Sequence, residues 1–162
     1  MPTPPSTDNY QVGGVQIILG GVDLGNIAGF GIDPSDLEVL QHFTARSGAR
    51  KVDKEIVVQK RLRFRATLDE HAKENYAKYF MGSISGSEVH PLTDPLAESN
   101  CVITYRNEAG EIWTYSHTRV SVKPAGAMDM GEFDDWVDFE IELESLQDDA
   151  QAPARHGRFT FA

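Results

Sequence analysis

The feature that most constrains the fold is a strict alternation of apolar and acidic residues near the C-terminal end of the chain. Within a strand predicted over Phe133–Leu146, the odd positions Val137, Phe139, Ile141 and Leu143 are apolar. The even positions Asp138, Glu140, Glu142 and Glu144 form an acidic row. Successive side chains of a strand point to opposite faces, so this segment predicts one buried face and one charged face.

A second alternation runs from Glu55 to Leu68 and predicts another long strand. Its apolar side chains share one face, and its other face carries arginines, at positions 61, 63 and 65. Lys60 interrupts the apolar row and predicts a bulge or a strand end. Opposite charges on neighbouring strands stabilise a sheet, so these arginines are candidate partners for the acidic row.

The remaining patterns predict strands at 11–19, 22–32, 100–106 and 111–123, and a short one near 157–162. One helix is predicted over Asp69–Met81. Thr67 and Glu70 have the spacing of a capping box, and Gly82 is placed to end the helix. Ala72, Tyr76, Tyr79 and Phe80 would form its apolar stripe.

This order of elements predicts a mainly β fold, with two packed antiparallel sheets as a sandwich or open barrel and one flanking α-helix. The domain would span residues 11–146. Residues 1–10 would be a mobile N-terminal arm and residues 147–162 a C-terminal arm, and a long inner loop would occupy 35–53.

The predicted loop carries both apolar and basic residues, so we interpret it as an interaction loop rather than plain disorder. The C-terminal arm ends in a short amphipathic segment. The candidate inter-subunit contacts from these two regions are Leu40, Phe43, Arg46, Arg50, Lys51, Phe159 and Phe161.

The formal net charge is −10, which would repel nucleic acid rather than bind it. The charge is unevenly distributed, because residues 46–65 contain eight basic and two acidic residues, whereas residues 124–150 contain ten acidic and no basic residues. Two interpretations stay open. The two stretches form solvated faces, or they meet as complementary patches between copies of the chain.

The sequence predicts no catalytic residue, cofactor or metal site. Its histidines lack ligand spacing, its single cysteine Cys101 lies in a predicted strand, and the acidic stretch 129–135 lacks a calcium-loop pattern. The N-terminus shows no signal peptide, and no apolar run would span a membrane. We therefore expect assembly in a cytoplasm without secretion.

Three segments carry a family resemblance: Val22–Pro34 (VDLGNIAGFGIDP), Lys51–Val58 (KVDKEIVV) and Leu68–Tyr76 (LDEHAKENY). In this order they resemble the major tail tube proteins of long-tailed, siphophage-type bacteriophages. The likeness covers roughly residues 10–82, and the later strands agree in arrangement only.

The resemblance implies hexameric rings of a structural protein that stack into a hollow tail tube through which DNA passes. It implies a tape-measure protein and tail-tip proteins as partners, a location in the virion tail, and bridging of rings by the long loop and the arms. Asp138, Glu140, Glu142 and Glu144 would then be candidates for a lumen-facing acidic row that repels DNA. The alternatives are the tube of a contractile tail or type VI secretion apparatus and, in a different class, a small ligand-binding β-sandwich or hydrolase.

Overall fold

The computed structural model describes residues 13–44, 48, 50–95, 97–131 and 137–162, with the backbone alone at Lys51. The predicted arm at residues 1–10, residues 133–136 of the predicted acidic strand, and Arg46 lie outside the described residues.

Twelve strands and one α-helix make up the described chain. The first six strands are β1 Gly13–Leu19, β2 Val22–Asp23, β3 Ile27–Asp33, β4 Leu37–Thr44, β5 Lys51–Lys60 and β6 Arg63–Leu68. The helix is α1 Lys73–Tyr79, followed by β7 Ser83–Ser85, β8 Glu88–His90, β9 Glu98–Asn107, β10 Gly110–Pro124 and β11 Phe139–Ser145. A 3-10 turn at Asp149–Gln151 precedes β12 Arg158–Phe161.

Eight strands form the main sheet, in the order β2-β1-β9-β10-β11-β6-β3, with β12 added alongside β10. Every pair in this sheet is antiparallel. Two separate hairpins, β4–β5 and β7–β8, lie outside it. The mainly β, sandwich-like fold with antiparallel sheets packed together is therefore confirmed.

The long strand β10 lets the main sheet fold over itself. Its first half pairs with β12 through Trp113–Ser116, its second half pairs with β11 through Val120–Pro124, and the register with β9 shifts between His117 and Val120. The rings of Phe64 on β6 and Tyr115 on β10 lie 4.7 Å apart, although these two strands are not neighbours in the sheet. The two layers thus enclose one core.

The alternation in β11 correctly predicts which residues enter this core. Phe139, Ile141 and Leu143 are buried and pack with residues of β1, β6, β9 and β10. On β6, Phe64, Ala66 and Leu68 are fully buried as predicted. Burial of apolar side chains of this size stabilises the fold by roughly 1.5–3 kcal/mol each.

The strand predicted over 22–32 is instead two strands, β2 and β3. Between them Leu24 turns into the core and is 1% exposed, and Gly25 adopts a φ of +80°. A Cβ at Gly25 would overlap the Glu70 carboxylate, which accepts a hydrogen bond from the Asn26 N–H. Glycine suits this position, because a side chain there would meet Glu70 and the φ lies in the left-handed region.

The predicted long loop at 35–53 is wrong, because most of it forms the two-stranded antiparallel hairpin β4–β5. The strand predicted from Glu55 to Leu68 correspondingly breaks at Arg61 and Leu62 into β5 and β6. Consequently Ile56 and Val58 belong to the hairpin and are exposed rather than part of the core. The predicted interruption near Lys60 is confirmed.

The helix is shorter than predicted, and its predicted capping box is wrong. Ala72 is the N-cap without a side-chain cap hydrogen bond, because Thr67 lies in β6 and Glu70 contacts Asn26. At the other end Met81, with a φ of +48°, takes the left-handed position, and the Gly82 N–H donates to the Ala77 carbonyl.

The C-terminal segment also differs from a free arm. Strand β12 pairs with β10, and the Tyr115 hydroxyl donates to the His156 carbonyl at 2.7 Å. Phe159 contacts the rings of Phe64, Trp113 and Tyr115. The segment is therefore held against the body of its own chain, at the edge of the core.

We predict that Phe159→Ala lowers the free energy of unfolding by about 2 kcal/mol, because it removes half-buried aromatic contacts next to the core. The matched control is Phe161→Ala on the same strand, where the side chain is 71% exposed; its change should stay within about 0.5 kcal/mol. Urea unfolding of the two monomeric variants checks this. Equal destabilisation by both would contradict the packing described for Phe159.

Candidate assembly interface

The β4–β5 hairpin leaves the body between β3 and β6, and hydrogen bonds fix its base. The Asp33 carboxylate accepts from the hydroxyl and N–H of Ser35, and these bonds lower the pKa of Asp33. The Arg61 N–H donates to the Asp36 carbonyl at 3.1 Å. The two chain segments that enter and leave the hairpin are therefore joined directly.

A network of ion pairs lies next to this base, on the outer face of β6, β10 and β11. Glu142, with a side chain only 8% exposed, pairs with Lys123 at 3.2 Å, with Arg65 at 3.6 Å and with Arg63 at 3.9 Å. Glu144 pairs with Lys123 at 3.0 Å and with Arg61 at 3.6 Å. A nearly buried carboxylate is tolerated when several cations neutralise it, as they do here.

The arginines also extend the network into the hairpin base. Arg63 lies 3.7 Å from Asp33 and 3.5 Å from Asp36, and Arg61 lies 3.4 Å from Asp36. Pairing between the acidic row and the arginines is therefore what the structure shows for Glu142 and Glu144. Part of the basic stretch 46–65 is accordingly neutralised within the chain.

The hairpin itself exposes apolar side chains on both of its faces. Leu40, which is 58% exposed, lies directly opposite Ile56, and these two occupy one face. Phe43 lies opposite Val52 and Val39 opposite Val57 on the other face. The exposed apolar side chains of the hairpin are Leu37, Val39, Leu40, Phe43, Val52, Ile56, Val57 and Val58.

Polar contacts order the hairpin and leave most of these side chains exposed. The Arg50 guanidinium lies 4.2 Å from the centre of the Phe43 ring, a cation–π geometry. The Gln41 amide donates to Glu55, and His42 Nδ1 lies 2.6 Å from Asp53. All of these partners lie within the hairpin, so the contacts stiffen it as a unit.

Of the predicted contact residues, the structure brings Leu40, Phe43 and Arg50 together on this hairpin. Arg46 and the side chain of Lys51 lie outside the described residues. Phe159 and Phe161 lie on β12, where Phe159 packs largely against its own chain and Phe161 points into solvent. The hairpin and β12 are therefore separate surfaces.

The predicted acidic row has members in different environments. Asp138 is exposed and Glu140 half-buried, and neither makes an ion pair within the described part of the chain. Glu142 and Glu144 belong to the ion-pair network. Only the first two retain the uncompensated charge expected of a repelling surface.

Several apolar contact candidates were missed by sequence reasoning, chiefly Val39, Ile56, Val57 and Val58. β-branched residues in a strand indicate core by default, because burial usually explains them. The one available signal was the interruption at Lys60 followed by Arg61, which marks where the buried strand begins. It was not sufficient to predict that the preceding residues are exposed.

The other concave regions offer little chemistry. A groove of about 820 Å³ between the hairpin and the C-terminal segment is lined by Lys60, Arg155 and His156 among others. Cys101 is buried, which raises its pKa to about 12 and makes it unreactive as a thiolate. Among the described residues, no group of three or more His, Cys, Asp and Glu could hold a metal ion.

Two histidines, His71 before α1 and His117 on β10, make structural contacts. His71 contacts the Tyr76 hydroxyl and the Val137 carbonyl, each at 2.8 Å. His117 is buried and contacts the Leu146 carbonyl at 2.6 Å. In the described ranges, no helix is long and apolar enough to cross a membrane.

No protein-family model and no curated protein matches this chain. Among solved structures, it is similar to a chain of the PVC sheath-tube complex, an extracellular contractile injection system in its extended state. That match has 13% identity over 92% of this chain and 89% of the other, with a TM-score of 0.49. A second similar structure is a chain of the PVC sheath/tube terminator in its extended state. That match has 15% identity over 85% of this chain and 93% of the other, with a TM-score of 0.48.

A third similar structure is the tube-terminating cap of the anti-feeding prophage, with 13% identity over 100% of this chain and 94% of the other and a TM-score of 0.46. The first two are parts of an extracellular contractile injection system, and the third terminates a tube. At these identities and TM-scores the similarities do not by themselves assign this chain a family or a function.

We predict that Glu142→Gln lowers the free energy of unfolding by about 1–3 kcal/mol, because it leaves partly buried cations without their shared counter-charge. Glu140→Gln, two residues away on the same face, is the matched control and should change stability little. Chemical denaturation of both variants measures the difference. If Glu142→Gln left the free energy of unfolding unchanged, the network would not stabilise the fold.

The network also predicts a dependence on alkaline pH. Burial alone would lower the pKa of Lys123, but hydrogen bonds to Glu144 and Glu142 raise it above its ordinary value overall. The folded chain then holds this proton more tightly than the unfolded chain does. Its contribution is present below about pH 10.4, the ordinary lysine pKa, and is lost as pH rises through the raised value.

Between pH 8 and pH 11, the wild-type chain should therefore lose more stability than Lys123→Met does. Urea midpoints at both pH values measure this, and the comparison cancels the titration of tyrosines common to both chains. Parallel losses in the two proteins would contradict a raised lysine pKa.

Proposed function

We propose that this chain is a structural subunit that polymerises with copies of itself into stacked hexameric rings, forming the hollow tube of a phage tail. The observation that carries the proposal is the β4–β5 hairpin, a two-stranded sheet with exposed apolar side chains on both faces. The ring symmetry and the passage of DNA are taken from the resemblance to tail tube proteins.

The energetics of the hairpin favour a partner. A two-stranded hairpin is at best marginally stable in water, and a cluster of exposed apolar side chains of this size marks an interaction surface. The base of this hairpin is fixed by ion pairs, so it projects as an ordered element rather than collapsing onto the body. Docking against another copy would bury both of its faces.

The residues proposed for contact between copies are Leu40, Phe43, Arg46, Arg50 and Lys51 on or near the hairpin, with Phe159 and Phe161 on β12. Phe161, which is 71% exposed, is the more accessible of the two phenylalanines on β12. Interfaces favour such aromatic and arginine side chains over lysine and acidic ones.

The acidic row would face the lumen of the tube. Asp138 and Glu140, which make no ion pair with any described residue, would repel the phosphates of passing DNA, whereas Glu142 and Glu144 would contribute less because cations neutralise them. A conduit benefits from a wall that does not bind its cargo.

A tape-measure protein and tail-tip proteins would be the assembly partners, the virion tail would be the location, and no enzymatic activity or cofactor would be needed. The tube of a contractile tail or type VI apparatus is the closest alternative, since the hairpin argument applies equally to it. The contractile injection systems among the similar structures belong to that second group.

A ligand-binding β-sandwich or small hydrolase is the alternative from a different class. It would use a groove such as that between the hairpin and the C-terminal segment, which presents Lys60, Arg155 and His156. A ligand-binding protein would bind its small molecule as a monomer, whereas a tube subunit would assemble with other copies.

We predict that the purified chain, concentrated and aged, forms hollow tubes or six-fold stacked rings in negative-stain electron microscopy. The double variant Leu40→Ser/Ile56→Ser should remain folded and fail to assemble, because it removes the apolar pair from one face of the hairpin. The expected effect is at least a tenfold rise in the critical concentration for assembly, equivalent to about 1.4 kcal/mol of contact free energy.

Val22→Ser is the matched control, because Val22 is an exposed apolar side chain on a different strand. Circular dichroism confirms folding of each variant. Tubes that form equally well from the double variant would contradict an assembly role for the hairpin. If the wild-type chain assembles neither alone nor when mixed with tail-tip proteins, the result favours the ligand-binding alternative.

A further inference from the structure

The groove between the β4–β5 hairpin and the C-terminal segment offers little for catalysis, but it has the charges of a binding site. Its volume of about 820 Å³ is typical of small-molecule sites. The end of β5 contributes Val57, Val58 and Lys60, and the C-terminal segment contributes residues 147, 152–153 and 155–157. The described residues that line it include two cations and one imidazole, and no carboxylate. The groove is therefore positively charged in a chain whose formal net charge is −10.

The two cations of the groove, Lys60 and Arg155, are available to an anion. In the described part of the chain Lys123 is the lysine that forms ion pairs, and Lys60 forms none. The Arg155 guanidinium lies 3.4 Å from Asp149, whose side chain is 73% exposed. An exposed pair of this kind contributes little free energy, so a more highly charged anion can compete with it.

Hydrogen bonds fix the orientation of His156, the imidazole of the groove. Its Nδ1 lies 3.2 Å from the hydroxyl of Ser145, a residue that is only 3% exposed. Its Nε2 is directed away from Ser145 and makes no hydrogen bond to any described residue. When Nε2 carries the proton, Nδ1 accepts from the Ser145 hydroxyl and the Nε2–H can donate to a ligand in the groove.

Both walls of the groove are held in place by the chain itself. Lys60 belongs to the terminal pair of the β4–β5 ladder, next to the hydrogen-bonded base of the hairpin. On the other wall, the Asp148 N–H donates to the Arg155 carbonyl at 2.8 Å. Gly157 packs so closely on the Tyr115 ring that a Cβ would lie 2.6 Å from it. Because these positions are already fixed, a ligand would pay little for ordering them.

We propose that this groove binds a small organic phosphate, with the phosphate at the two cations and the imidazole. Its apolar part would lie against Val57, Val58 and Pro153, which line the same groove. A phosphate monoester carries a charge of about −1.5 to −2 at pH 7, which matches two cations. An arginine fork presents paired N–H donors to phosphate oxygens, and a lysine adds a point charge. The ligand would thereby link the hairpin to the C-terminal segment.

Isothermal titration calorimetry of the full chain tests this site, at low ionic strength and below the concentration at which the chain assembles. The probes are phenyl phosphate and inorganic phosphate. We expect one phenyl phosphate per chain, bound several-fold more tightly than inorganic phosphate, because its ring would cover the apolar wall. Lys60→Gln and Arg155→Gln should each weaken the binding of phenyl phosphate about tenfold, since each removes a charge-assisted contact.

Lys54→Gln is the matched control for Lys60→Gln. Lys54 is exposed on the same strand and does not line the groove, and its substitution removes the same charge. The control should leave the affinity almost unchanged. His156→Asn tests the role of the imidazole, because an asparagine side chain can keep the contact with Ser145 but has no equivalent of Nε2. This variant should stay folded by circular dichroism and bind phenyl phosphate several-fold more weakly.

Two outcomes overturn the site. One is the absence of binding at millimolar phenyl phosphate. The other is equal weakening by Lys60→Gln and Lys54→Gln, which would show that net charge alone attracts the anion. Equal affinity for the two probes would contradict contact between the ligand and the apolar wall.

This inference does not depend on the proposed function, because a subunit that assembles can also bind a small anion. Assembly is scored separately by electron microscopy. A chain that forms tubes but does not bind phenyl phosphate contradicts the phosphate site alone. A chain that binds phenyl phosphate but does not assemble, alone or with tail-tip proteins, contradicts the tube function alone.

Discussion

The ion pairs of the Glu142 carboxylate are the interaction on which the rest of the structure depends. This carboxylate lies on β11, almost inaccessible to water, and its ion pairs reach Lys123 on β10 and Arg63 and Arg65 on β6. Because Arg63 also contacts Asp33 and Asp36, the same network extends to the base of the hairpin. A single charged cluster thus joins three strands of the sheet to the element that projects from it.

This arrangement explains how a hairpin without a core of its own can project in an ordered way. A buried carboxylate is costly unless cations neutralise it. Moving the cations away from Glu142 would leave its charge uncompensated, and this cost keeps them in place. The opposite face of β11 contributes Phe139, Ile141 and Leu143 to the core. One face of β11 therefore packs in the apolar core, and its other face carries the charged network. The alternating sequence supplies both faces.

That alternation is also why much of the fold could be predicted. Period-two patterns in β6, β10 and β11 identify strands and their buried faces, and they depend only on local geometry. The hairpin could not be predicted in the same way, since Val39, Ile56 and Val57 are exposed and their pattern is that of a buried strand. The packing of Phe159 against the core was equally hidden, because it depends on the distant partners Phe64 and Tyr115.

Exposed β-branched residues in a well-paired hairpin are informative for a physical reason. A sequence under selection for solubility alone would place polar residues there, as natural sheet edges usually do. Here both hairpin faces carry exposed apolar side chains, while the polar contacts of Gln41, His42 and Arg50 stay within the hairpin. Stability of the monomer does not account for that arrangement, whereas burial against a partner would. An element with exposed apolar side chains on two faces could contact more than one neighbour, as the proposed assembly requires.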